Sequence, residues 1–227
     1  MINEEEYVIE WDIKTWKKAF TYWEKNIPWD KISHALEIGS RNGGPSWWIA
    51  NKGIIIECTD RVDVQKNARK AHQKRGGNKN ISYFDLDVLE LEEIEKYDLV
   101  ICKSVLGGVG HHGKTERIED AINRIYKSLK PGGVFLFAEN LVSSPIHVLL
   151  RRKMTKWGNS WNYLTEEQIH QMTSPFESTE IHTTGFLATF GRNEKQRSTL
   201  GSIDQILLPF IPKKWHYLGY GIATKKT

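Results

Sequence analysis

The sequence places an acidic residue inside an apolar run and follows it with two glycines, in the order Glu37-x-Gly39-x-x-x-Gly43. Backbone without Cβ atoms lets a ligand approach closely, and glycine-bearing turns that open a helix commonly bind nucleotide-like cofactors. A dinucleotide turn reads Gly-x-Gly-x-x-Gly, but Arg41 occupies its middle position here, and no Gly-Lys-Ser/Thr ends the loop as in a P-loop. The pattern therefore favours a cofactor with an amino-acid end and no phosphate.

Five short apolar runs and the helix-like segments between them predict the elements that position this loop. The runs are of strand length and mostly rich in Ile, Val, Leu and Phe; they cover residues 34–39, 53–58, 81–87, 97–104 and 133–140. The intervening segments, predicted as helices, are residues 45–51, 62–74, 90–96 and 114–129. This alternation predicts an α/β fold in which a parallel sheet is covered by helices on both faces.

The two ends of the chain depart from that alternation. An aromatic stripe at near-helical spacing, from Trp11 to Trp23, predicts an N-terminal amphipathic helix, and core packing is favoured over a role as cover of a site. Beyond the fifth run, residues 143–172 predict one or two helices with Thr165 and Gln168 in capping-box positions. Residues 185–191 and 215–225 are predicted as two final strands, separated by a helix over 193–208.

Composition and charge set the class of protein. A chain of 227 residues with 39% hydrophobic residues is long enough to bury a core, and one domain over residues 1–227 is predicted. The formal net charge of +4 is spread along the chain, so nucleic acid is permitted as a partner but not favoured. We find no secretory signal and no run as long as a membrane span, and we expect a cytoplasmic protein.

The two cysteines are interpreted as packing residues. Cys58 and Cys102 each lie inside an apolar run, where a thiol usually acts as a small hydrophobe. Two cysteines placed in this way form neither a disulfide framework nor a metal site, so both are expected to be reduced and no bound metal is predicted.

The loop sequence "EIGSRNG" resembles the first motif of the class I S-adenosylmethionine-dependent methyltransferases, with Arg41 in place of the middle glycine. The resemblance implies S-adenosyl-L-methionine as cofactor. It also implies that the loop, with Gly39, Ser40, Arg41 and Gly43, wraps the methionine portion, and that Glu37 binds the ammonium group directly or through water.

Two later acidic positions fit the same resemblance. Asp60, at the end of the second strand, is implied to bind both ribose hydroxyls, with Glu57 as the less favoured substitute. Near the end of the third strand, Asp87 is implied to bind the adenine amino group and Val88 to donate its backbone N–H to the ring, with Asp85 as the alternative.

The remaining signals complete the expected fold. Residues 97–108 resemble the fourth strand and the floor beneath the methyl donor, with Lys103 as a cofactor contact, and "LKPGGVFLFAEN" matches the helix, turn and fifth strand. The resemblance implies a Rossmann-like, doubly wound, mostly parallel seven-stranded sheet with an antiparallel last strand. Within it we distinguish an N-terminal helical segment (1–33), a cofactor-binding core (34–140), and acceptor-covering helices with the last two strands (141–227).

A pair of histidines is the predicted source of acid–base chemistry. Methyl transfer by in-line displacement needs positioning and exclusion of water, and an alcohol acceptor also needs a general base near neutral pH. His112 and His111 follow the fourth strand in "GGVGHHGKT", although a histidine in such a loop is more often exposed or a helix cap. Lesser candidates for a catalytic role are Glu139, Lys103, His147 and Tyr163.

Three functions compete. The favoured hypothesis is an O-methyltransferase of a small molecule or of a glycan or lipid-linked precursor. An RNA (ribose or ribosomal) methyltransferase is the second, since "KSVL" stands where DNA-base methyltransferases carry Asp/Asn-Pro-Pro-Tyr/Phe and no Pro-Cys nucleophile is present. A methyltransferase-like binding module without catalysis is the third.

Peripheral contact with a membrane is a further prediction about partners. "HVLLRRKMTKW" sets three consecutive basic residues beside an apolar face, a pattern that suits acidic headgroups, although a solvated helix face is favoured. "TLGSIDQILLPFIP" adds apolar surface near the expected acceptor side, which suits a lipid-carried acceptor as well as simple packing.

Overall fold

A computed structural model describes residues 3–154 and 160–227, and it leaves the side chains of residues 152–154 undescribed. In these residues the strands form one seven-stranded sheet. Their bounds are β1 His34–Ile38, β2 Ile55–Asp60, β3 Ile81–Asp85, β4 Tyr97–Lys103, β5 Leu129–Asn140, β6 Ser178–Thr184 and β7 Leu218–Thr224.

The strand order is β3-β2-β1-β4-β5-β7-β6. Strands β1 to β5 are parallel to one another, and β7 runs antiparallel to both β5 and β6. The mostly parallel seven-stranded sheet with an antiparallel last strand is therefore confirmed. Because β1 lies between β2 and β4, the connections after β1 and β4 diverge, which opens a crevice at the carboxyl edge where ligands bind in such sheets.

Helices cover both faces of the sheet. The α-helices of the described residues are α1 Glu4–Ile9, α2 Ile13–Asn26, α3 Gly44–Ala50, α4 Lys70–Gln73, α5 Leu106–Val109, α6 Thr115–Ser128, α7 Pro145–Met154, α8 Glu166–Met172 and α9 Glu194–Leu207. One face carries α1, α2 and α3, and the other carries α6 and α8. The predicted capping box of Thr165 and Gln168 begins α8, and Asn193 caps α9.

The N-terminal aromatic stripe is core, as favoured. Trp16 and Trp23 are 1% and 0% exposed, and the indole N–H of Trp23 donates to the carbonyl of Gly221, 3.0 Å away. Burial of two such side chains fixes α2 against β7 by the hydrophobic effect. Trp11 differs, because it precedes α2 and lines a cavity at the carboxyl edge.

Two predicted elements were wrong. Residues 90–96 form no helix: Asp87 caps a 3-10 turn, Val88–Glu90, and the chain then enters β4. Residues 185–191 are not a strand but a turn, because buried Asp204 accepts the backbone N–H groups of residues 186, 187 and 188. The strand is instead β6, an edge strand whose polar sequence "STEIHTT" hides it from a search for apolar runs.

In the described part of the chain, no helix combines the length and the apolar character that crossing a bilayer requires. Cys58 and Cys102 are buried free thiols, which agrees with their interpretation as packing residues.

Candidate active site

The loop after β1 adopts a conformation that its glycines permit. Gly39 and Gly43 have φ values of +68° and +75°. A Cβ atom on Gly39 would lie 2.5 Å from a methyl carbon of Val105, and one on Gly43 would lie 2.6 Å from the ring of His72. Both positions therefore require glycine, on account of backbone conformation and of space. His72 also secures the loop, since its Nε2–H donates to the carbonyl of Gly43 at 2.9 Å.

Arg41 stands where the family motif has its middle glycine, also with positive φ, +51°. Its backbone N–H donates to the carboxylate of Asp60 at 2.7 Å. Its guanidinium points to the N-terminal segment, 3.9 Å from the carboxylate of Glu10 and 5.4 Å from the ring centre of Trp11. Because this side chain is 67% exposed, it leaves the loop accessible to a ligand.

Glu37 lies beneath the loop and is 2% exposed. Its carboxyl group accepts the backbone N–H of Ser46 at 2.9 Å and also accepts the hydroxyl of Ser46, which fixes the first turn of α3. Burial raises the pKa of Glu37 to about 8, and a cation beside it would favour the ionised form. Glu37 lines a cavity, which a ligand can enter. Its contact with an ammonium group there stays a prediction.

The two predicted carboxylates, Asp60 and Asp87, meet at one cavity of about 450 Å³. Asp60 accepts the N–H groups of Arg41 and Arg61, each at 2.7 Å, and Asp87 accepts that of Leu89 at 3.0 Å. Main-chain N–H donors therefore hold the carboxylates of Asp60 and Asp87 at the carboxyl edge of the sheet.

The alternative carboxylates are engaged elsewhere. Glu57 accepts the hydroxyl of Tyr97 at 2.6 Å and pairs with Lys96 at 3.0 Å, whereas Asp85 accepts the N–H groups that begin the segment before α4. Within the described residues, the arrangement favours Asp60 and Asp87 over these substitutes.

The rest of the large cavity combines apolar walls with a few polar groups. Its lining includes Ile38, Gly39, Val62, Val88, Ser104, Val109, His111, Arg117 and Trp161. Among the described residues, Arg117 Nε and Trp161 Nε1 are buried donors without a hydrogen-bond partner. Such groups are costly unless a ligand or water satisfies them, so both are candidate donors to a ligand.

A second cavity of about 350 Å³ adjoins the first and shares Gly39, Ser104 and Trp161 with it. Glu37, Ser40 and Lys103 line this smaller space. Lys103 is buried, its ammonium donating to the carbonyl of Ile9 at 3.0 Å and lying 3.4 Å from the ring centre of Trp11. Burial lowers the pKa of Lys103 to about 8. The small cavity thus offers both acidic side chains, Glu10 and Glu37, and basic ones, Arg41 and Lys103, which suits an amino-acid group.

The two histidines have different surroundings. His111 is half-buried, lines the large cavity and lies 6.0 Å from the ring of Trp161 between ring centres. Burial, with the nearby positive charges, lowers its pKa below the usual value. His112 is exposed on the outer side of the turn with φ +60°, and its N–H donates to the carbonyl of Ser160 at 2.8 Å. Both catalytic assignments stay predictions, and the geometry favours His111.

The lesser catalytic candidates have structural surroundings. Glu139 is buried and accepts the N–H groups of Val105 and Leu106 at 2.6 and 2.8 Å, which fixes the start of α5; burial raises its pKa to about 7. The ring of His147 is held between the hydroxyl of Ser144 and a backbone carbonyl. Tyr163 lies beneath the guanidinium of Arg151, 4.2 Å from the ring centre.

Sequence reasoning missed Trp161 and Arg117. Trp161 lies beyond the fifth strand in a segment without periodicity and reaches the site by packing on α5. A Cβ atom on Gly107 would lie 1.9 Å from Trp161 Nε1. The pair Gly107–Gly108 directly after β4 was the one available signal, since adjacent glycines mark a close approach of another group.

The residues present fit S-adenosylmethionine. The large cavity has carboxylates and apolar walls suited to a nucleoside, and the small cavity has an acid and an amine suited to an amino acid. Two carboxylates at the larger cavity disfavour phosphate by like-charge repulsion. Trp161 lines both spaces, and its Nε1 lies against Gly107.

Comparisons with known proteins agree with this fit. Residues 36–135 match a family model described as a methyltransferase domain. Nodulation protein S of Azorhizobium caulinodans is 28% identical over 128 residues, 56% of this chain and 55% of that protein. The chain therefore spans about half the length of this curated relative.

Solved structures share the fold. Phosphoethanolamine N-methyltransferase 2 of Haemonchus contortus, in complex with S-adenosyl-L-methionine, superposes with a TM-score of 0.64 at 17% identity, covering 99% of this chain and 56% of that one. The YcgJ protein of Bacillus subtilis gives 0.65 at 12% identity, covering 93% and 99%. The family match spans β1 to β5 and with them the glycine loop and both carboxylates. Over residues 36–135 the chain therefore matches a methyltransferase domain, and this match together with the shared fold supports a class I S-adenosylmethionine-dependent methyltransferase with S-adenosylmethionine as cofactor.

Proposed function

We propose that the protein methylates an oxygen atom of a small molecule or of a glycan or lipid-linked precursor, with His111 as the general base. The observation that carries the proposal is that His111 lines the same cavity as Asp60 and Asp87. A base in that position lies at the edge where the acceptor enters.

When bound, S-adenosylmethionine supplies an activated methyl group, so the protein's task is to hold the reactants in line and exclude water. The loop from Gly39 to Gly43 would receive the methionine portion, Asp60 would accept from the ribose hydroxyls, and Asp87 with Val88 would hold the adenine. Trp161 lines both cavities.

His111 is suited to remove a proton from an alcohol. Its lowered pKa keeps the imidazole neutral at pH 7, and a neutral imidazole has one nitrogen that can accept a proton. As the new bond to oxygen forms, this nitrogen takes the acceptor's proton. Positioned general bases typically contribute about 10²–10⁴-fold in rate.

A nitrogen acceptor is the second candidate. The Haemonchus contortus neighbour is named as a phosphoethanolamine N-methyltransferase, and this chain has an unpartnered Arg117 Nε at its cavity that would suit an anionic group on the acceptor. For an amine, His111 would take the proton before transfer and not during it.

The test is transfer of a labelled methyl group from S-adenosylmethionine to fractionated extract of the source cell. Label in a small-molecule, glycan or lipid fraction, with mass spectrometry placing it on oxygen, supports the proposal. Label on nitrogen supports the second candidate. Label in RNA, together with RNA binding that falls steeply with salt, would instead identify an RNA methyltransferase. Binding of the donor without transfer to any fraction would leave a binding module.

A further inference from the structure

Five large apolar side chains are exposed near one end of the carboxyl edge, and we call them the apolar rim. Phe210 is 82% exposed, Ile206 71%, Ile146 59%, Leu149 54% and Trp215 36%. Single exposed apolar residues are common, but several together on one surface indicate an interaction site.

Contacts bring the two segments of the rim together. The hydroxyl of Ser143 donates to the carbonyl of Trp215 at 2.5 Å, just before α7 begins. The ring of Trp215 stacks on that of Phe186, and His147 in α7 donates to the carbonyl of Phe186 at 2.7 Å. The start of α7 and the turn after α9 therefore share one surface.

The rim lies at the same edge of the sheet as the active site. Helix α7 follows the carboxyl end of β5, and β7 begins at Leu218, which pairs with Asn140 at that end. The segment that carries Phe210 and Trp215 leads directly into Leu218. A surface that binds the rim therefore lies next to the edge where an acceptor enters.

The charge of this surface is positive. Lys213 and Lys214 are exposed between Phe210 and Trp215. Over residues 203–216 the one acidic residue is Asp204, which is buried and accepts backbone N–H groups, and residues 143–151 contain no acid. Apolar tips beside lysines are typical of proteins that lie on anionic lipid, because the rings enter the headgroup boundary while the ammonium groups meet the phosphates.

In the basic run at residues 151–153, Arg151 adds no outward-facing positive charge to this surface. Arg151 points inward: its guanidinium donates to the carbonyls of Leu141 and Val142 at 2.6 and 3.0 Å and covers Tyr163. The side chains of Arg152 and Lys153 lie outside the described residues. Among the side chains that the structure describes at this edge, Lys213 and Lys214 are exposed.

We propose that the apolar rim, with Lys213 and Lys214, docks the protein on the surface of an anionic lipid bilayer. A lipid surface fits better than a protein partner because lysine is depleted from protein interfaces but favoured at headgroups. The docking does not depend on the proposed methyl transfer. If that transfer uses a lipid-carried acceptor, docking brings the cavity to it.

The test is co-flotation of the full chain with vesicles of phosphatidylcholine alone or with phosphatidylglycerol added to about one third. We expect binding to the anionic vesicles that is at least about tenfold tighter than to neutral ones and that weakens as salt screens the lysines. K213Q/K214Q should weaken binding by about fivefold for each lysine removed. I206S/F210S should weaken it by tenfold or more, because both apolar anchors are lost.

Matched controls come from elsewhere on the surface. Ile94 is 75% exposed and lies before β4, at the opposite edge of the sheet, so I94S should bind vesicles as the unchanged protein does. Lys70 and Lys74 are exposed on and just after α4, so K70Q/K74Q matches the loss of charge without touching the rim. Circular dichroism checks that each variant is folded.

Three results would overturn the proposal. One is absence of binding to anionic vesicles, and another is equal loss of binding in the control and rim variants. The third is a concentration-dependent dimer that I206S/F210S dissociates, which would make a second copy of the chain the occupant of the rim. Vesicle binding is measured without any acceptor, so its failure is distinguishable from failure of methyl transfer.

Discussion

The two halves of the carboxyl edge differ in how their groups are held. In the donor half, formed by the loops after β1, β2 and β3, each carboxylate is fixed by main-chain N–H groups, as Asp60 is by Arg41 and Arg61. In the acceptor half, formed by the segments after β5 and before β7, several large apolar side chains are exposed, among them Ile206 and Phe210. The donor half is preorganised, whereas the acceptor half leaves contact surface free.

This difference follows from what each half must recognise. A cofactor of fixed chemistry is bound most strongly by groups already in place, because little ordering is then required on binding. The acceptor half includes the connections between elements, where sequences vary most readily and where specificity is usually carried. Substitutions in the donor half should therefore change donor affinity, and those near the acceptor half should change transfer or surface binding.

The largest effect is expected from Asp60→Ala. Asp60 is the carboxylate placed for the ribose hydroxyls, and it also holds the N–H of Arg41, which shapes the loop. Hydrogen bonds to charged groups contribute about 1.5–3 kcal/mol each, so the affinity for S-adenosylmethionine should fall by about 10²–10³-fold in titration calorimetry.

Asp63→Asn is the control for Asp60→Ala. Asp63 is a neighbouring acid on the same loop with φ +62°, a conformation that asparagine tolerates. Its replacement should leave donor affinity within about threefold. Donor affinity retained in the Asp60 variant would contradict the ribose role and with it the distinction between the halves.

A smaller effect is expected from the histidines, and it tests the proposed function. His111→Asn should lower kcat about 10²-fold with donor affinity nearly unchanged, because the base is lost but the donor contacts are not. His112→Asn should stay within about twofold, since exposed surface substitutions seldom matter more.

The pH profile identifies the base. A general base acts when neutral, so activity should fall as the pH drops through the pKa of His111, which burial holds below its usual value. The acid limb should therefore lie below pH ~6.5 and disappear in the His111 variant. A profile that moves with His112 instead would assign the role to that histidine.

The sequence predicted the donor half well because its signals are local. The pattern from Glu37 to Gly43 fixes a strand, a turn and a helix within a few residues, and the acids at the ends of β2 and β3 follow from alternation along the chain. The fold could be predicted for the same reason, except where residues 90–96 were taken for a helix and residues 185–191 for a strand. That segment is a turn because Asp204, far along the chain in α9, holds its N–H groups.

The acceptor half could not be predicted in the same way. Trp161 reaches the cavity through a tertiary contact with Gly107, a pair separated by more than fifty residues. The different exposure of His111 and His112 depends on the left-handed backbone conformation of one loop residue, His112. Neither feature has a periodic signature, since tertiary packing alone sets them.

Gly107→Ala tests that tertiary contact. The added methyl would lie 1.9 Å from Trp161 Nε1, so the indole must move away from the junction of the two cavities. We expect transfer to slow about tenfold, since misplacement of a positioning group is costly, with donor affinity changed only a few-fold. Steady-state kinetics and calorimetry separate the two effects.

Two further variants make the Gly107 test specific. Gly108→Ala places its methyl 3.2 Å from the same indole, a milder contact, and should have the smaller effect. The double variant G107A/W161F, with a smaller ring, should recover part of the lost rate if displacement of the indole is the cause. Unchanged kinetics in Gly107→Ala would show that Trp161 does not shape the site.

The smallest effect is expected from Glu37→Gln, in the pH dependence of stability. The pKa of Glu37 is raised to about 8 in the folded protein, from a usual value of 4.5. Between these values the folded state binds more protons than the unfolded state, so the free energy of unfolding falls as pH rises from about 4.5 to about 8. Glutamine cannot ionise, so the Tm of Glu37→Gln relative to the unchanged protein should rise by a few degrees across this window.

Glu139→Gln is the matched comparison, because the pKa of Glu139 is raised to about 7 and its window closes earlier. Saturating S-adenosylhomocysteine sharpens the result: if its ammonium lies beside Glu37, the ionised carboxylate is stabilised and the pH slope of the unchanged protein shrinks towards that of Glu37→Gln. Parallel Tm curves for Glu37→Gln and the unchanged protein would show that burial does not perturb Glu37. If saturating ligand leaves the pH slope of the Tm of the unchanged protein as it was, the ammonium group binds elsewhere in the donor half. Lys103 and Ser40 also line the small cavity.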